Sequence, residues 1–351
     1  MLEIAPAREL GNILDEHVAR DAALAPIATA VREIAAAAAD MAEVISLGRL
    51  GEEGHADVGH LNPDGDAQKR LDLVANNLFL SALRRAPVAA VLSEELAEPL
   101  LLEPSAPLAI AIDPLDGSSN IDANVSIGTI FSILPALPDA GSARAHFLQP
   151  GRNQLAAGFV IYGPQCSLVL ALPDKTSIFI LDRRSGLFRE AVEAVRIPRE
   201  AKEYAINTSN YRHWTPSVRT FVDDCVKGTE GPLGFDHNMR WVASLVAEAY
   251  RILSRGGVFL YPGDLRQGYS SGRLRLIYEA NPIAFIAEQA EGKATDTVRR
   301  ILDIVPSDIH VRTAFVFGSA SPVNLVARYH TDPQFSAEHS PLFSRRGLIR
   351  N

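Results

Sequence analysis

The stretch P-L-A-I-A-I-D-P-L-D-G-S-S-N, residues 107–120, decides how this chain is read. From Pro107 to Ile112 it is apolar, bounded by prolines and too short for a helix, so it reads as a buried strand. The strand ends on Asp113. Asp116 follows, and then Gly117, Ser118, Ser119 and Asn120. Taken alone, the turn has two readings. Asp and Ser can cap a helix N-terminus, or acids and hydroxyl groups can hold a metal and a phosphate.

Two other stretches repeat the pattern. P-V-A-A-V-L (87–92) is a second apolar strand and runs into Ser93, Glu94 and Glu95. G-R-L-R-L-I-Y-E (272–279) reads as a third and ends on Glu279. Ligands of α/β sheets gather at the carboxyl ends of strands, so these acids can converge. Uncompensated, their repulsion at reduced dielectric is costly. A hard divalent cation removes that cost, and an oxygen-only donor set suits Mg²⁺, with Mn²⁺ as a substitute. The carbonyl of Leu115 can complete the shell. The glycine turn exposes backbone N–H groups, and Ser118 and Ser119 add donors, which suits phosphate oxygens. Acids for metal beside donors for phosphate point to a metal-dependent phosphatase.

Composition sets bounds. The chain has 351 residues and a formal net charge of −8, from 34 basic and 42 acidic residues. Length suggests roughly two domains or one large α/β unit. An acidic balance argues against nucleic acid as the main partner, but not against a phosphorylated substrate met by a local cation cluster. Cys166 and Cys225 form no paired framework, so a reducing compartment is expected. The opening M-L-E-I-A-P-A-R-E-L lacks the pattern of a signal peptide, and no apolar run reaches the length of a membrane span. A cytoplasmic protein without a membrane partner is expected.

Along the chain, helices are expected over 25–47, 71–85, 216–225, 240–253 and from Asn281 to Gln289, the last with Asn281 as N-cap. Further strands are expected at 130–134, 157–162, 167–172, 177–181, 203–207 and 256–262. Phe315 and Phe317 alternate along a terminal strand and read as core. Ala320 to Asn351, rich in Ser, Pro, His and Arg, reads as a loosely packed tail. The polar, glycine-dense stretch between the first two helices reads as a long functional loop. His55 and His60 within it are read as loop residues rather than ligands.

At the acid motifs the sequence resembles the class I fructose-1,6-bisphosphatases, within the lithium-sensitive sugar phosphatases. Asp113-Pro-Leu-Asp-Gly-Ser-Ser-Asn-Ile-Asp122 matches the family signature, Ser93-Glu94-Glu95 its upstream acids, and Gly272 to Pro282 its third segment. Gly65-Asp66 through Leu71-Asp72 looks like the end of its catalytic loop. The resemblance implies an α/β fold of α-β-α-β-α layers, a homotetramer, and Mg²⁺-dependent removal of the 1-phosphate of fructose 1,6-bisphosphate. By position, Glu94, Glu95, Asp113, Asp116, Glu279 and the Leu115 carbonyl resemble the metal ligands. Asp66 and Asp72 resemble the loop acids, and Glu95 or Asp72 can take a proton. Asp116, Gly117, Ser118 and Ser119 would meet the 1-phosphate. Asn207, Tyr261, Arg273 and Arg275 would meet the sugar and 6-phosphate, with Arg240 reaching a neighbouring subunit's substrate. Residues 1–190 would then carry the metal and 1-phosphate site, 191–331 the sugar and 6-phosphate site, and 332–351 the tail.

The chain departs from the family pattern at the sugar side. Asn207-Thr-Ser-Asn210 replaces Asn-Glu-Gly-Tyr, Trp241 replaces a tyrosine, and Arg273 replaces a lysine. Sedoheptulose 1,7-bisphosphate is therefore a second candidate substrate. An inositol phosphatase, a nucleotide 3′-phosphatase and a silent sugar-phosphate sensor are the alternative readings. Pro107-Leu108 stands where animal-type members carry Lys-Tyr, so weak or absent AMP inhibition at that site is expected. Pro138 to Gly151 holds no cysteine, so thiol activation is not expected.

Overall fold

The computed structural model describes residues 7–48, 70–138 and 140–332. Three helices come first: α1 (Leu10–Arg20), α2 (Ala25–Leu47) and α3 (Arg70–Leu83). The first of these had no counterpart in the sequence reading. Eight strands follow, β1 (Val88–Ser93), β2 (Leu100–Leu101), β3 (Leu108–Asp116), β4 (Ile127–Pro135), β5 (Ala156–Tyr162), β6 (Cys166–Leu172), β7 (Lys175–Asp182) and β8 (Leu187–Val192). They form one sheet in the order β2-β1-β3-β4-β5-β6-β7-β8. The β1–β3 pair is parallel and the other neighbours are antiparallel.

Both β1 and β3 are buried throughout, as their unbroken apolar runs require. Alternate residues of the sheet face two cores. Phe131, Ile133 and Val160 pack against α1–α3, whereas Ile130, Phe159 and Val169 face the other way.

The second half supplies β9 (Glu203–Ala205), α4 (Pro216–Val226), β10 (Asn238–Met239), α5 (Leu245–Arg255) and β11 (Val258–Tyr261). It continues with β12 (Leu274–Arg275), a π-helical turn (Leu276–Ala280), α6 (Asn281–Gln289), β13 (Lys293–Thr295), β14 (Arg312–Thr313), β15 (Phe315–Gly318) and α7 (Ala320–Thr331). Five strands make a second sheet in the order β10-β9-β11-β15-β13. Helices α5 and α6 lie between the two sheets, in a core shared with Phe259, Phe315 and Phe317. The far face of the second sheet packs on α4 and α7 through Tyr204, Val258, Val316, Phe221 and Val326. The result is a mixed fold of α-β-α-β-α layers.

Several expectations need correction. The segment from Ala320 is not a loose tail as far as it is described: α7 buries Val323, Val326 and Tyr329, at three-residue steps on one face. Only Leu274–Arg275 of the expected strand over 272–279 is extended, because the chain then enters the π turn. Asn281 is therefore not an N-cap; it lies inside continuous helical backbone and is buried. The helix expected from Arg240 starts at Leu245, with Ser244 as its cap, because Ala243 sits at φ +62 and breaks any earlier turn. Finally, Ala22–Leu47 is long and apolar enough to cross a membrane by length and composition. In the fold its Val31, Ile34, Ala38 and Met41 are fully buried against the first core.

Candidate active site

Asp113 and Asp116 are three residues apart on β3, and a regular strand would point them to opposite faces. The ladder with β4 slips between them. Asp113 pairs with Ile130, yet Asp116 pairs with Gly128, so three steps on β3 match two on β4. This bulge turns both carboxylates to one side. Glu279 arrives there from the π turn, a helical irregularity that re-aims side chains and often marks functional sites. Carboxylate oxygens of Asp113, Asp116 and Glu279 all lie within 4.8 Å of one another, and all three residues are buried.

Glu94 joins the cluster from the end of β1. Its backbone N–H donates to the Ile112 carbonyl at 3.1 Å, which sets its turn beside β3. Its carboxyl lies next to that of Asp113. Ser93 donates to Asn76 Oδ1 at 2.7 Å and accepts the Glu95 N–H at 3.3 Å. Asp72 is buried in the first turn of α3, one helical turn before Asn76, and so lies on the face turned to this end of β1. Asp66 lies outside the described residues, as do His55 and His60. Leu115 is buried within the bulge, and its N–H donates to Asp113 Oδ1 at 3.0 Å.

The acids pay for their company in proton affinity. Burial first, then Glu279 and Glu95, pushes Glu94 well above the usual carboxylate range. Burial first, then Glu94 and Asp116, does the same to Asp113. Burial lifts Asp116 to about 6, opposed by the backbone N–H groups of Val246 and Leu245. Burial and then Asp116 lift Glu279 to about 8. A set of buried, mutually repelling oxygen donors, with no Cys or His among them, fits a hard divalent cation.

Next to the acids, Gly117 takes the left-handed conformation (φ +76), which glycine adopts without strain. It opens a 3₁₀ turn, Ser118–Ala123, rather than an α-helix. The turn is tied to the second half of the chain, where Asn120 Nδ2 donates to the Ala243 carbonyl at 2.8 Å. Gly128 has a separate reason: a Cβ there would lie 2.2 Å from the Val160 carbonyl oxygen and 2.7 Å from Val246, so only glycine fits between β5 and α5.

Asn207, Asn210, Tyr261, Asp264, Tyr269 and Arg273 line one small cleft in the second half. Asn207 Oδ1 accepts the Ser209 N–H at 3.1 Å and so caps the turn Thr208–His213. The Arg273 guanidinium lies 5.0 Å from the Tyr269 ring centroid. Arg240 is half exposed, 3.7 Å from Glu203. The neighbouring Trp241 stacks on Phe259 at 5.8 Å. Arg275 does not line this cleft. It is buried, donates from Nη1 to the His310 carbonyl at 3.0 Å, and gives its backbone N–H to Glu279 Oε2 at 2.5 Å. The sequence reading assigned no role to Asn76, Tyr278, His310 or the α5 N-terminus, which lie around the acid-bearing turns. Of these, only Asn76 carried a signal, its four-residue spacing from Asp72.

Fold and site together define a class: a phosphoric monoester hydrolase on a mixed α/β frame, with a divalent-cation site. Residues 18–193 match the family model described as the fructose-1,6-bisphosphatase N-terminal domain, and residues 197–331 match that of the C-terminal domain. The chain belongs to the fructose-1,6-bisphosphatase family. It is 57% identical over 326 residues to the class 1 fructose-1,6-bisphosphatase of Rhizobium meliloti, covering 92% of this chain and 93% of that one. Against the class 1 enzyme of Methylorubrum populi it is 52% identical over 345 residues, 97% of this chain and 99% of the other. The crystal structure of Leishmania major fructose-1,6-bisphosphatase in holo form superposes with a TM-score of 0.84 at 30% identity, covering 93% of this chain and 99% of that one.

Proposed function

We propose that this chain hydrolyses the 1-phosphate of fructose 1,6-bisphosphate, giving fructose 6-phosphate and phosphate, with Mg²⁺ as the cation and Mn²⁺ as a substitute. The observation that carries this reading is the convergence of Asp113, Asp116 and Glu279 directly beside the Gly117 turn. When bound, a divalent cation neutralises phosphoryl charge and lowers the pKa of water. In this reading Glu94, Glu95, Asp113, Asp116, Glu279 and the Leu115 carbonyl hold it. Backbone N–H groups and hydroxyls of Gly117, Ser118 and Ser119 receive the 1-phosphate oxygens and fix the ester for in-line attack. Glu95 or Asp72 takes the proton of the attacking water. Asp66 stays with Asp72 as a loop acid.

Asn207, Tyr261 and Arg273 hold the sugar and the far phosphate, which orients the substrate without entering the chemistry. Arg275, beside Glu279, offsets acid charge rather than gripping the sugar. Residues 1–190 thus supply most of the chemistry, with Glu279 added from 191–331, which also carries the recognition. Arg240, half exposed at the edge of the second sheet, reaches a neighbouring subunit's site in a homotetramer. The two cysteines are buried and unpaired, which supports a reducing, cytoplasmic setting.

The test is phosphate release with Mg²⁺ from fructose 1,6-bisphosphate, sedoheptulose 1,7-bisphosphate, inositol 1-phosphate and adenosine 3′,5′-bisphosphate. Turnover of the first, with fructose 6-phosphate as product, is expected. The reading is falsified if only the last two are hydrolysed.

A further inference from the structure

His310 joins the two turns that bring acids to the cluster from different parts of the sequence. Its Nδ1 lies 3.1 Å from the hydroxyl of Tyr278, the residue before Glu279. Its Nε2 lies 3.3 Å from the carbonyl of Ala97, two residues after Glu95. One neutral tautomer satisfies both contacts: the Tyr278 O–H donates to Nδ1, and Nε2–H donates to Ala97. Burial, which holds this imidazole below its usual pKa, works in the same direction. The His310 carbonyl also accepts Arg275 Nη1 at 3.0 Å, and the Arg275 backbone N–H holds Glu279.

A second tie runs alongside. Arg144 holds Glu98 through two bonds of 2.6 and 2.8 Å and reaches Asp308 at 3.4 Å. Those groups are exposed, and surface pairs of this kind contribute little. The half-buried imidazole is the specific link. It is needed because, beyond the Glu94 N–H bond to Ile112, neither turn is held by a sheet ladder: Glu94 and Glu95 follow the end of β1, and Glu279 lies in the π turn. Repulsion among the acids drives the two turns apart, so each must be held from behind.

We propose that His310 is a positioning residue for the cation site: through Tyr278 and Ala97 it sets the separation between the Glu94–Glu95 turn and Glu279. This rests on reading the acid cluster as a divalent-cation site. Groups that orient metal ligands typically change affinity by about 10–100-fold when removed.

The experiment titrates Mn²⁺ alone into the metal-free full chain and follows free Mn²⁺ by electron paramagnetic resonance, without substrate. His310→Leu removes both ring bonds and is expected to weaken Mn²⁺ binding about tenfold or more. Tyr278→Phe cuts one tether and is expected to weaken it less. His310→Gln keeps a donor and an acceptor and is expected to stay within about twofold of wild type. Wild-type affinity in folded His310→Leu overturns the proposal, and so does equal loss in His310→Gln, which would mean a packing role only. If His310→Leu does not fold, Tyr278→Phe decides, and unchanged affinity there sinks the idea. A wild-type chain that binds no Mn²⁺ would instead sink the cation-site reading itself.

Discussion

Asp116 accepts the backbone N–H of Val246 at 3.2 Å, across 130 positions of sequence. The contact puts a signature acid at the N-terminus of α5, where unpaired N–H groups and the helix dipole favour negative charge. It also ties the two halves of the chain together beside the acid cluster and the Gly117 turn. Gly128 helps make the contact possible, since a Cβ there would meet both Val246 and the Val160 carbonyl.

Replacing Asp116 by Asn tests what its charge does. The Asn carbonyl oxygen can still accept the Val246 N–H, so the helix contact survives. Activity is expected to fall by about three orders of magnitude, because charge stabilisation through the cation is the dominant contribution. The melting temperature of the metal-free variant is expected to match or exceed that of wild type, since one buried repelling charge is gone. Retained phosphate release would remove Asp116 from the site.

The same repulsion fixes a pH dependence. Asp116 and Glu279 titrate at about 6 and about 8 in the fold, above their ordinary values of 3.8 and 4.5. Between roughly pH 4 and pH 8 the folded chain therefore holds more protons than the unfolded one, so stability is lost as pH rises through that window. The melting temperature of metal-free protein is expected to drop from pH 5 to pH 8. Because a cation replaces protons on these acids, its stabilising shift should grow over the same range. Thermal melts with EDTA or with Mg²⁺ at several pH values check both signs. A metal-free melting temperature that climbs toward pH 8 would contradict the assignment.

How much of this was legible follows from which interactions are local. Both acid-bearing strands could be read, because β1 and β3 are buried on both faces and carry unbroken apolar runs. The bulge could not. The spacing of Asp113 and Asp116 implies opposite faces, and only pairing with β4 shows the slip. The π turn was hidden by Arg273-Leu-Arg275, whose alternation looks like a strand, although the apolar run Leu276-Ile277-Tyr278 breaks that alternation. The same misreading set Arg275 beside Arg273, whereas the turn buries it next to Glu279. Helix α7 was readable from the spacing of Val323, Val326 and Tyr329, but polar composition masked it. The approach of α5 to Asp116 is purely tertiary and leaves no sequence mark.

Arg273 offers a test of the proposed division between recognition and chemistry. Its guanidinium is stacked near Tyr269 and lines the cleft with Asn207 and Tyr261. Arg273→Ala is expected to raise KM for the bisphosphate by about 10–100-fold, the range for losing a charge-assisted contact, with a smaller change in kcat. Arg273→Lys keeps the charge but loses the planar fork, and is expected to fall between the two. Fructose 1-phosphate, which lacks the far phosphate, is the control: its kcat/KM should barely respond. An equal loss on both substrates would show that Arg273 acts on folding or on the cation site.

Ala243 holds a conformation that suits glycine better. At φ +62 its Cβ is strained by about 1 kcal/mol, and such strain persists only where surrounding contacts over-determine the backbone. Here the Ala243 carbonyl is held by Asn120 at 2.8 Å, and Ser244 caps α5 through the Ala247 N–H at 3.4 Å. Ala243→Gly is expected to raise stability by up to about 1 kcal/mol, less the extra entropy glycine has when unfolded. In a chain of this size that is a rise in melting temperature of about 2 °C at most. Asn120→Ala should act oppositely, at about 1 kcal/mol, by removing a hydrogen bond. Because Arg240 and Trp241 lie just upstream, the looser Ala243→Gly turn is also expected to raise KM while leaving Mn²⁺ affinity unchanged. Differential scanning calorimetry and steady-state kinetics on the two variants test this, and a lower melting temperature for Ala243→Gly would show that Ala243 is not strained.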